Sequence, residues 1–162
     1  MLAVRIPNEI ESRLAKLAAL TGRSKSFYVR EALQAHLDEI EDTYTALYRL
    51  EHPTKRWTLE ELEKGLDLKN DSKRAWTVEF DDRARRELRK LDATIQQTIF
   101  HYLRERIAGA EDPRVFGKPL RMKLAGLWRY RVGDYRLICR FEENRLVVLV
   151  LQVGHRRDVY ED

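Results

Sequence analysis

The sequence predicts an α+β protein built in two parts, and three observations carry that expectation. Residues 1–50 read as one strand followed by two helices, with no second strand to pair with the first. Residues 75–162 read as a strand, two helices and then three strands. The charge divides with them: residues 1–74 hold 13 Lys+Arg and 13 Asp+Glu, whereas residues 75–162 hold 18 and 14, so the whole net charge of +4 lies in the second part. At 36% charged and 43% hydrophobic residues the chain has apolar material for modest cores only, as a soluble protein of one or two small domains does.

Taking the elements in order, Leu2, Val4 and Ile6 alternate with Ala3 and Arg5, the period of a short strand. Asn8 with Glu11 three residues on has the form of an N-terminal capping box. Ile10, Leu14, Leu17 and Ala18 follow at helical spacing until Gly22. Ser24 is placed to cap a second helix through Phe27, Val29, Leu33 and Leu37 toward Leu50. One strand cannot make a sheet, so this module needs a second copy of itself. Pro53 ends the helical pattern, because its ring excludes a helix interior. Thr58 and Glu61 then form a second capping-box pattern, opening a short helix that carries Leu59, Leu62 and Leu66 in an acidic setting and stops at Gly65. Asn70–Arg74 is a polar linker. The expected domains are residues 1–50, a segment and linker over 51–74, and residues 75–162.

In the second part, Trp76–Phe80 alternates as a strand. Asp81 or Asp82 caps a helix through Ala84, Leu88 and Leu91, and Asp92 caps another through Ile95, Ile99, Leu103 and Ile107. Leu127, Arg129 and Arg131 fall on one parity of a strand and Trp128, Tyr130 and Val132 on the other. A turn at Gly133-Asp134 leads to a strand with Tyr135 and Arg136, and Leu146–Val153 forms the last, delivering His155, Arg156 and Tyr160. Two helices packed on an antiparallel sheet is the layer arrangement this order predicts.

The charge pattern points to a polyanion. Between Arg114 and Arg140 there are 8 basic residues and one acid, while Asp38 to Asp67 holds 9 acids and 4 bases. A basic surface and an acidic segment on one chain are complementary, although two solvated faces that never meet have the same composition. Arginines, a histidine and tyrosines gathered on one sheet suit RNA, with guanidinium forks for phosphate oxygens and rings for bases. Lys118, Arg121, Lys123 and Tyr135 are the expected RNA-binding residues. No apolar run approaches the roughly 18–20 residues a membrane span needs. The start, Met1-Leu-Ala-Val-Arg-Ile, has no signal-peptide form, so a cytoplasmic location is expected. Cys139, the only cysteine, reads as a core residue.

Two resemblances add to this reading. Residues 1–45 resemble a ribbon-helix-helix module, which implies an intertwined homodimer whose paired strands enter the major groove of operator DNA. It implies that Ala3 and Arg5 face the bases, and that Ser24, Lys25 and Ser26 hold a phosphate at the second helix's N-terminus. Lys118-Pro-Leu, Gly126-Leu-Trp-Arg-Tyr-Arg-Val-Gly-Asp-Tyr-Arg136 and Val153-Gly-His-Arg-Arg-Asp-Val-Tyr160 resemble a RelE-type toxin over residues 75–162. The first part then resembles a RelB-type antitoxin, joined here to the toxin instead of being a separate chain. The resemblance implies ribosome-dependent cleavage of mRNA by its own 2′-hydroxyl, without metal or other cofactor, and autorepression by the antitoxin part. It also implies that Leu59, Leu62 and Leu66 neutralise the toxin.

In-line attack needs a proton acceptor, charge for the phosphorane and a proton donor for the leaving oxygen. The resemblance places function on Arg129, Arg131, Arg136, Arg156 and Tyr160. Arg129 stands where relatives have a lysine used as base. An arginine stays protonated to above about pH 12, so His155, which titrates near neutrality, is expected to share the proton transfer. Three other readings fit the same residues: a DNA-binding autorepressor without catalysis, a ParE-like toxin that poisons gyrase, and a plain RNA-binding module.

Overall fold

The computed structural model describes residues 1–64, 75–121 and 126–155. Gly65, Leu66, Lys123, Arg156 and Tyr160 lie outside the described residues. The chain divides into two compact units, one of Met1–Ile40 and one beginning at Glu41. That division falls inside a helix, before the boundary that the sequence suggests at residue 50.

In the first unit α1 spans Asn8–Thr21 and α2 begins at Lys25, running on to Glu51. Gly22, at φ 72°, closes α1 by donating its N–H to the Ala18 carbonyl at 2.9 Å, a left-handed position that suits glycine. Ser24 caps α2, its Oγ accepting from the Phe27 N–H at 3.1 Å. The expected Asn8 cap does not form. Pro7 occupies the cap position, with extended backbone and no side-chain bond. The helix begins one residue earlier than the capping-box pattern suggests because the Pro7 carbonyl already accepts from the Glu11 N–H at 3.0 Å. The expected strand at Leu2–Ile6 is not assigned either. A ladder needs a partner strand, and a single copy supplies none. Leu2, Val4, Ile10, Leu17 and Leu20 are exposed, and α1 has no buried residue. An open groove of about 600 Å³, lined in part by Leu2, Val4, Leu14, Val29 and Leu33, runs beside them.

The second unit is a sheet with helices on both faces. Among the described residues its strands are β1 (Arg56–Thr58), β2 (Thr77–Asp81), β3 (Lys118–Pro119), β4 (Leu127–Val132), β5 (Tyr135–Glu142) and β6 (Val147–His155), in the order β1-β2-β6-β5-β4-β3. The sheet is antiparallel except where β2 runs parallel to β6. That pairing departs from the all-antiparallel expectation. Between β2 and β3 come α4 (Asp82–Arg89) and α5 (Ala93–Tyr102), capped by the Asp81 and Asp92 carboxylates, and α5 continues into a π-helical turn, Leu103–Ala108. Ala84, Leu88, Ile99, Phe100, Leu103 and Ile107 pack on Val78, Phe80, Tyr130, Leu137, Val148 and Val150 to form the main core. On the other sheet face the last turns of α2 bring Ala46, Leu47 and Leu50 against Leu120, Leu127, Ile138, Leu149 and Leu151.

The segment before the linker is a strap built into this fold. β1 adds an edge strand to β2, with Trp57 opposite Phe80. It passes directly into α3 (Leu59–Glu63), which has the predicted capping box: Thr58 Oγ1 accepts from the Glu61 N–H at 3.2 Å and Glu61 Oε2 accepts from the Thr58 N–H at 2.8 Å. Leu59 and Leu62 are 1% exposed and belong to the main core. Polar groups fasten the rest. Arg56 donates to Glu142 at 2.5 Å and Glu79 at 3.1 Å, the Trp57 indole N–H donates to Asp82 at 2.9 Å, and Thr54 Oγ1 donates to Asp81 at 3.2 Å. Glu63 pairs with buried Arg104 at 3.0 Å.

Two predictions follow from the strap. Leu62→Ala should destabilise the second unit by about 2–5 kcal/mol, the cost of emptying a buried leucine site, measured by urea unfolding. A loss below about 0.5 kcal/mol would mean that the strap lies outside the core. The second concerns acid. The hydrogen bond from Arg56 holds the Glu142 carboxyl below its ordinary range. Burial raises the Asp81 carboxyl, but the hydrogen bonds from Arg83 outweigh it and the net direction is also down. A carboxyl with a depressed folded pKa contributes stability above its unfolded pKa and loses it as pH falls through the folded value. The urea midpoint should therefore fall as pH drops below about 4, and Glu142→Gln should flatten that slope.

Candidate active site

The site is the face of β4, β5 and β6 that lies under α2. Directly opposed residues of an antiparallel pair share a face, and the register sets Arg131 opposite Arg136, Arg129 opposite Ile138, and Lys118 of β3 opposite Arg129. Arg136 is in turn opposite Gly154 of β6, and Ile138 opposite Gln152. The sheet thus gathers Lys118, Arg129, Arg131 and Arg136 on one face. Lys118 and Arg131 are exposed, Arg129 is half-buried and Arg136 is buried at 9% exposure.

Arg136 is the best-anchored of the four. Its Nε donates to Asp42 Oδ2 at 2.6 Å and its Nη2 donates to Asp42 Oδ1 at 2.8 Å, a bidentate pair in which Asp42 is 1% exposed. Its Nη1 donates to the backbone carbonyl of His155. The guanidinium lies over Gly154, where an added Cβ would meet Nη1 at 3.2 Å and Cζ at 3.4 Å. Sequence reasoning missed Asp42 and Gly154. Asp42 lies in the acidic run from Asp38, and no feature of the sequence separates it from its neighbours. Gly154 belongs to the Val153–Tyr160 stretch, whose sequence alone gives the glycine no role.

α2 is fastened over this face at its C-terminal end. Arg49 donates to Glu87 and to the Leu151 carbonyl, the latter at 2.7 Å. Arg83 Nη2 donates to the carbonyls of Arg49 at 2.9 Å and His52 at 2.7 Å while pairing with Asp81 at 2.9 Å. A cation at the end of a helix satisfies carbonyls that have no partner within the helix and suits the helix dipole.

Other expected site residues fall elsewhere. Tyr135 and His155 are opposite each other, with rings 5.1 Å apart edge to face. Tyr135 packs against the main core, on the far side of the sheet from the Arg136 guanidinium. The backbone carbonyl of His155 reaches Arg136, while its ring lies on the other face of the sheet from Arg129, Arg131 and Arg136. Arg121 is exposed just beyond β3. Tyr130 is buried and donates its hydroxyl to the Pro113 carbonyl at 2.7 Å, and Trp128 packs edge-on against Phe141, so both are packing residues. Cys139 is wholly buried, which pushes its thiol pKa up. Leu59 and Leu62 join the helix-side core and do not reach Arg136. From α2, Asp42 meets the arginine. In the first unit, Ala3, Arg5, Ser24, Lys25 and Ser26 are all exposed, and Lys25 pairs with Glu11 at 3.2 Å.

Comparison with known proteins matches the two ends of the chain to different families. Residues 2–50 match the TraY domain, of ribbon-helix-helix type. Toxin RelG of Mycobacterium tuberculosis is 38% identical over 85 residues, covering 52% of this chain and 95% of the relative. The mRNA interferase toxin RelE of Escherichia coli is 33% identical over 91 residues, covering 54% and 93%. The crystal structure of the RelBE2 toxin–antitoxin complex of M. tuberculosis has a chain 37% identical, covering 50% of this chain and 98% of that one, with a TM-score of 0.46. Residues 78–160, half of the chain, match the family described as ParE toxin of type II toxin-antitoxin system, parDE. Both resemblances read from the sequence are thereby shown, and the chain belongs to the ParE toxin family of type II toxin–antitoxin systems, with RelE-type toxins among its relatives and a ribbon-helix-helix type domain ahead of the toxin.

Proposed function

We propose that the chain is a toxin–antitoxin fusion: a RelE-type, ribosome-dependent mRNA endonuclease kept inactive by residues 41–63 of the same chain. The observation that carries this reading is the bidentate Asp42–Arg136 pair, which sets an acid of the antitoxin-like part on a buried arginine of the toxin sheet. The names of the two relatives, toxin RelG and mRNA interferase toxin RelE, support it. Once uncovered, Arg131 and Arg136 hold the scissile phosphate and stabilise the phosphorane formed by attack of the RNA 2′-hydroxyl. The resemblance also gives Arg156 and Tyr160 roles at the phosphate and ribose. His155 is set aside as the main proton carrier because its ring is across the sheet. Lys118, directly opposite Arg129, supplies on the arginine face the amine base that Arg129 cannot be. Residues 1–50 dimerise through paired N-terminal strands and bind operator DNA for autorepression, with Arg5 reading a base and Ser24-Lys25-Ser26 holding a phosphate. The ribosome and mRNA are the toxin half's partners, in the cytoplasm. The family name favours one further reading, a ParE-like toxin directed at gyrase.

The test uses the full chain, since excising residues 75–162 would remove Leu59 and Leu62 from the core. Asp42→Ala with Ala46→Arg breaks the ion pair and forces a charge into the contact between α2 and the sheet. This variant should arrest growth and cleave message in a translating extract, where the wild-type chain is inert. Adding Arg136→Ala should lower that cleavage about 10²–10³-fold, the scale of losing one charge-stabilising donor. A soluble, folded double variant that leaves message intact would sink the ribonuclease reading, and inhibition of gyrase supercoiling by the same protein would replace it with the ParE reading. For the first unit, Arg5→Ala should cost about 1–3 kcal/mol on the operator and far less on random DNA, measured by titration. Equal losses would make Arg5 a phosphate contact.

A further inference from the structure

We infer that Asp42 is a built-in surrogate for the substrate's phosphodiester, so that its position marks a masked anion site and neutralisation is competitive with phosphate. The inference rests on the ribonuclease reading for the identity of the anion, and on geometry for the site. Arg136 is oriented by groups that are not part of α2. Nη1 is bound by the His155 carbonyl, and the guanidinium lies over Gly154, where any side chain would crowd it. The Nε/Nη2 edge is the edge presented outward, and it is the one a carboxylate or a phosphate takes with two parallel hydrogen bonds. Asp42 holds both of those bonds at 2.6 and 2.8 Å.

The register supplies an independent argument. Arg131 and Arg136 are directly opposite on adjacent strands, with Lys118 and Arg129 as the next pair along β4. Like charges directly opposite destabilise a sheet, and a buried guanidinium is expensive without an anion. Such a face favours a bound anion. In the intact chain that anion is a side chain. Asp42 is followed by a residue with no exposed surface, Thr43, and one turn later by Ala46, also with none, so the covering helix excludes water along with the substrate. The carboxylate is planar and carries one charge, as a phosphodiester also carries one. It copies the charge and the two acceptor atoms without offering a bond that can be cleaved.

The test is anion rescue in the full chain. Thermal unfolding is followed for wild type, Asp42→Ala and Asp42→Ala/Arg136→Ala in sodium phosphate, sodium acetate and sodium chloride at equal ionic strength. The wild-type Tm should be the same in all three. Asp42→Ala should unfold earlier in chloride and recover as the logarithm of phosphate concentration, by about 5 °C at a hundredfold excess over Kd. The double variant should not respond. A flat phosphate response in Asp42→Ala, an equal response in the double variant, or recovery with acetate but none with phosphate would each overturn the surrogate. Should Asp42→Ala fail to fold, Asp42→Asn keeps the shape without the charge. It should bind a short all-2′-deoxy oligonucleotide about tenfold more tightly than wild type, one decade being about 1.4 kcal/mol, and equal affinity would overturn the inference. The two readings separate in the extract assay. A variant that cleaves message but ignores phosphate removes the surrogate alone, and one that takes up phosphate but cleaves nothing upholds the surrogate and removes the ribonuclease.

Discussion

The second unit depends on the pairing of one buried cation with one buried anion. Arg136 sits at the start of an interior strand, at 9% exposure, in a place where an arginine has no packing reason to be. Its removal from water costs several kcal/mol, and that cost is offset only because three donors are engaged, two by Asp42 and one by a backbone carbonyl. Breaking such a pair from one side costs about 3–5 kcal/mol, because the remaining charge stays buried without a partner. The position of α2 on the sheet follows from this. Ala46 is small enough to let the helix approach closely, Leu47 and Leu50 fill the space along Leu149 and Leu151, and Arg49 and Arg83 fix the helix end.

The strap and the helix make different kinds of contact. β1 covers the edge of β2, an open row of backbone groups that would otherwise invite another strand. Leu59 and Leu62 fill the main core, so the strap belongs to the fold of the toxin half as much as β2 does. The last turns of α2 lie on a smaller cluster, in which Leu47 and Leu50 are only partly buried. The parts that complete the fold and the part that masks the arginine are therefore separate pieces of one segment.

What the sequence made legible, and what it hid, follows from how local each signal is. The alternation of Leu127, Arg129 and Arg131 against Trp128, Tyr130 and Val132 is local, and it placed β4 and its two faces correctly. The Thr58 capping box is local and was found. β1 was not, because three residues containing a tryptophan and an arginine have no period, and their strand character comes from the edge of β2. The expected Asn8 cap does not form, because Pro7, already restricted to a φ that fits, takes the cap position one residue earlier. The parity of His155 was lost to a register shift. The partners of Ile138 and Cys139 are Gln152 and Val150, so Leu151 is an extra residue and every side chain beyond it changes face. Asp42 was invisible because an acid within an acidic helix looks solvated until the sheet beneath it is known.

The separation of strap from masking helix has a thermodynamic consequence for how such a chain can be switched. An antitoxin on another chain dissociates as a whole, and its concentration decides how often it returns. On the proposed reading, the strap would stay in the core if α2 lifted, so the Asp42 carboxylate would remain tethered close to Arg136. Tethers of this kind hold a partner at an effective concentration in the millimolar range. The open state is then disfavoured by two additive terms: the cost of leaving Arg136 without Asp42, and the loss of the Ala46, Leu47 and Leu50 contacts. An anion on Arg136 removes the first term and leaves the second intact. Phosphate alone therefore shifts the balance without opening the chain. On that reading, full opening would require a ligand that also occupies the surface under Leu47 and Leu50, which an extended polyanion can cover and a lone phosphate cannot.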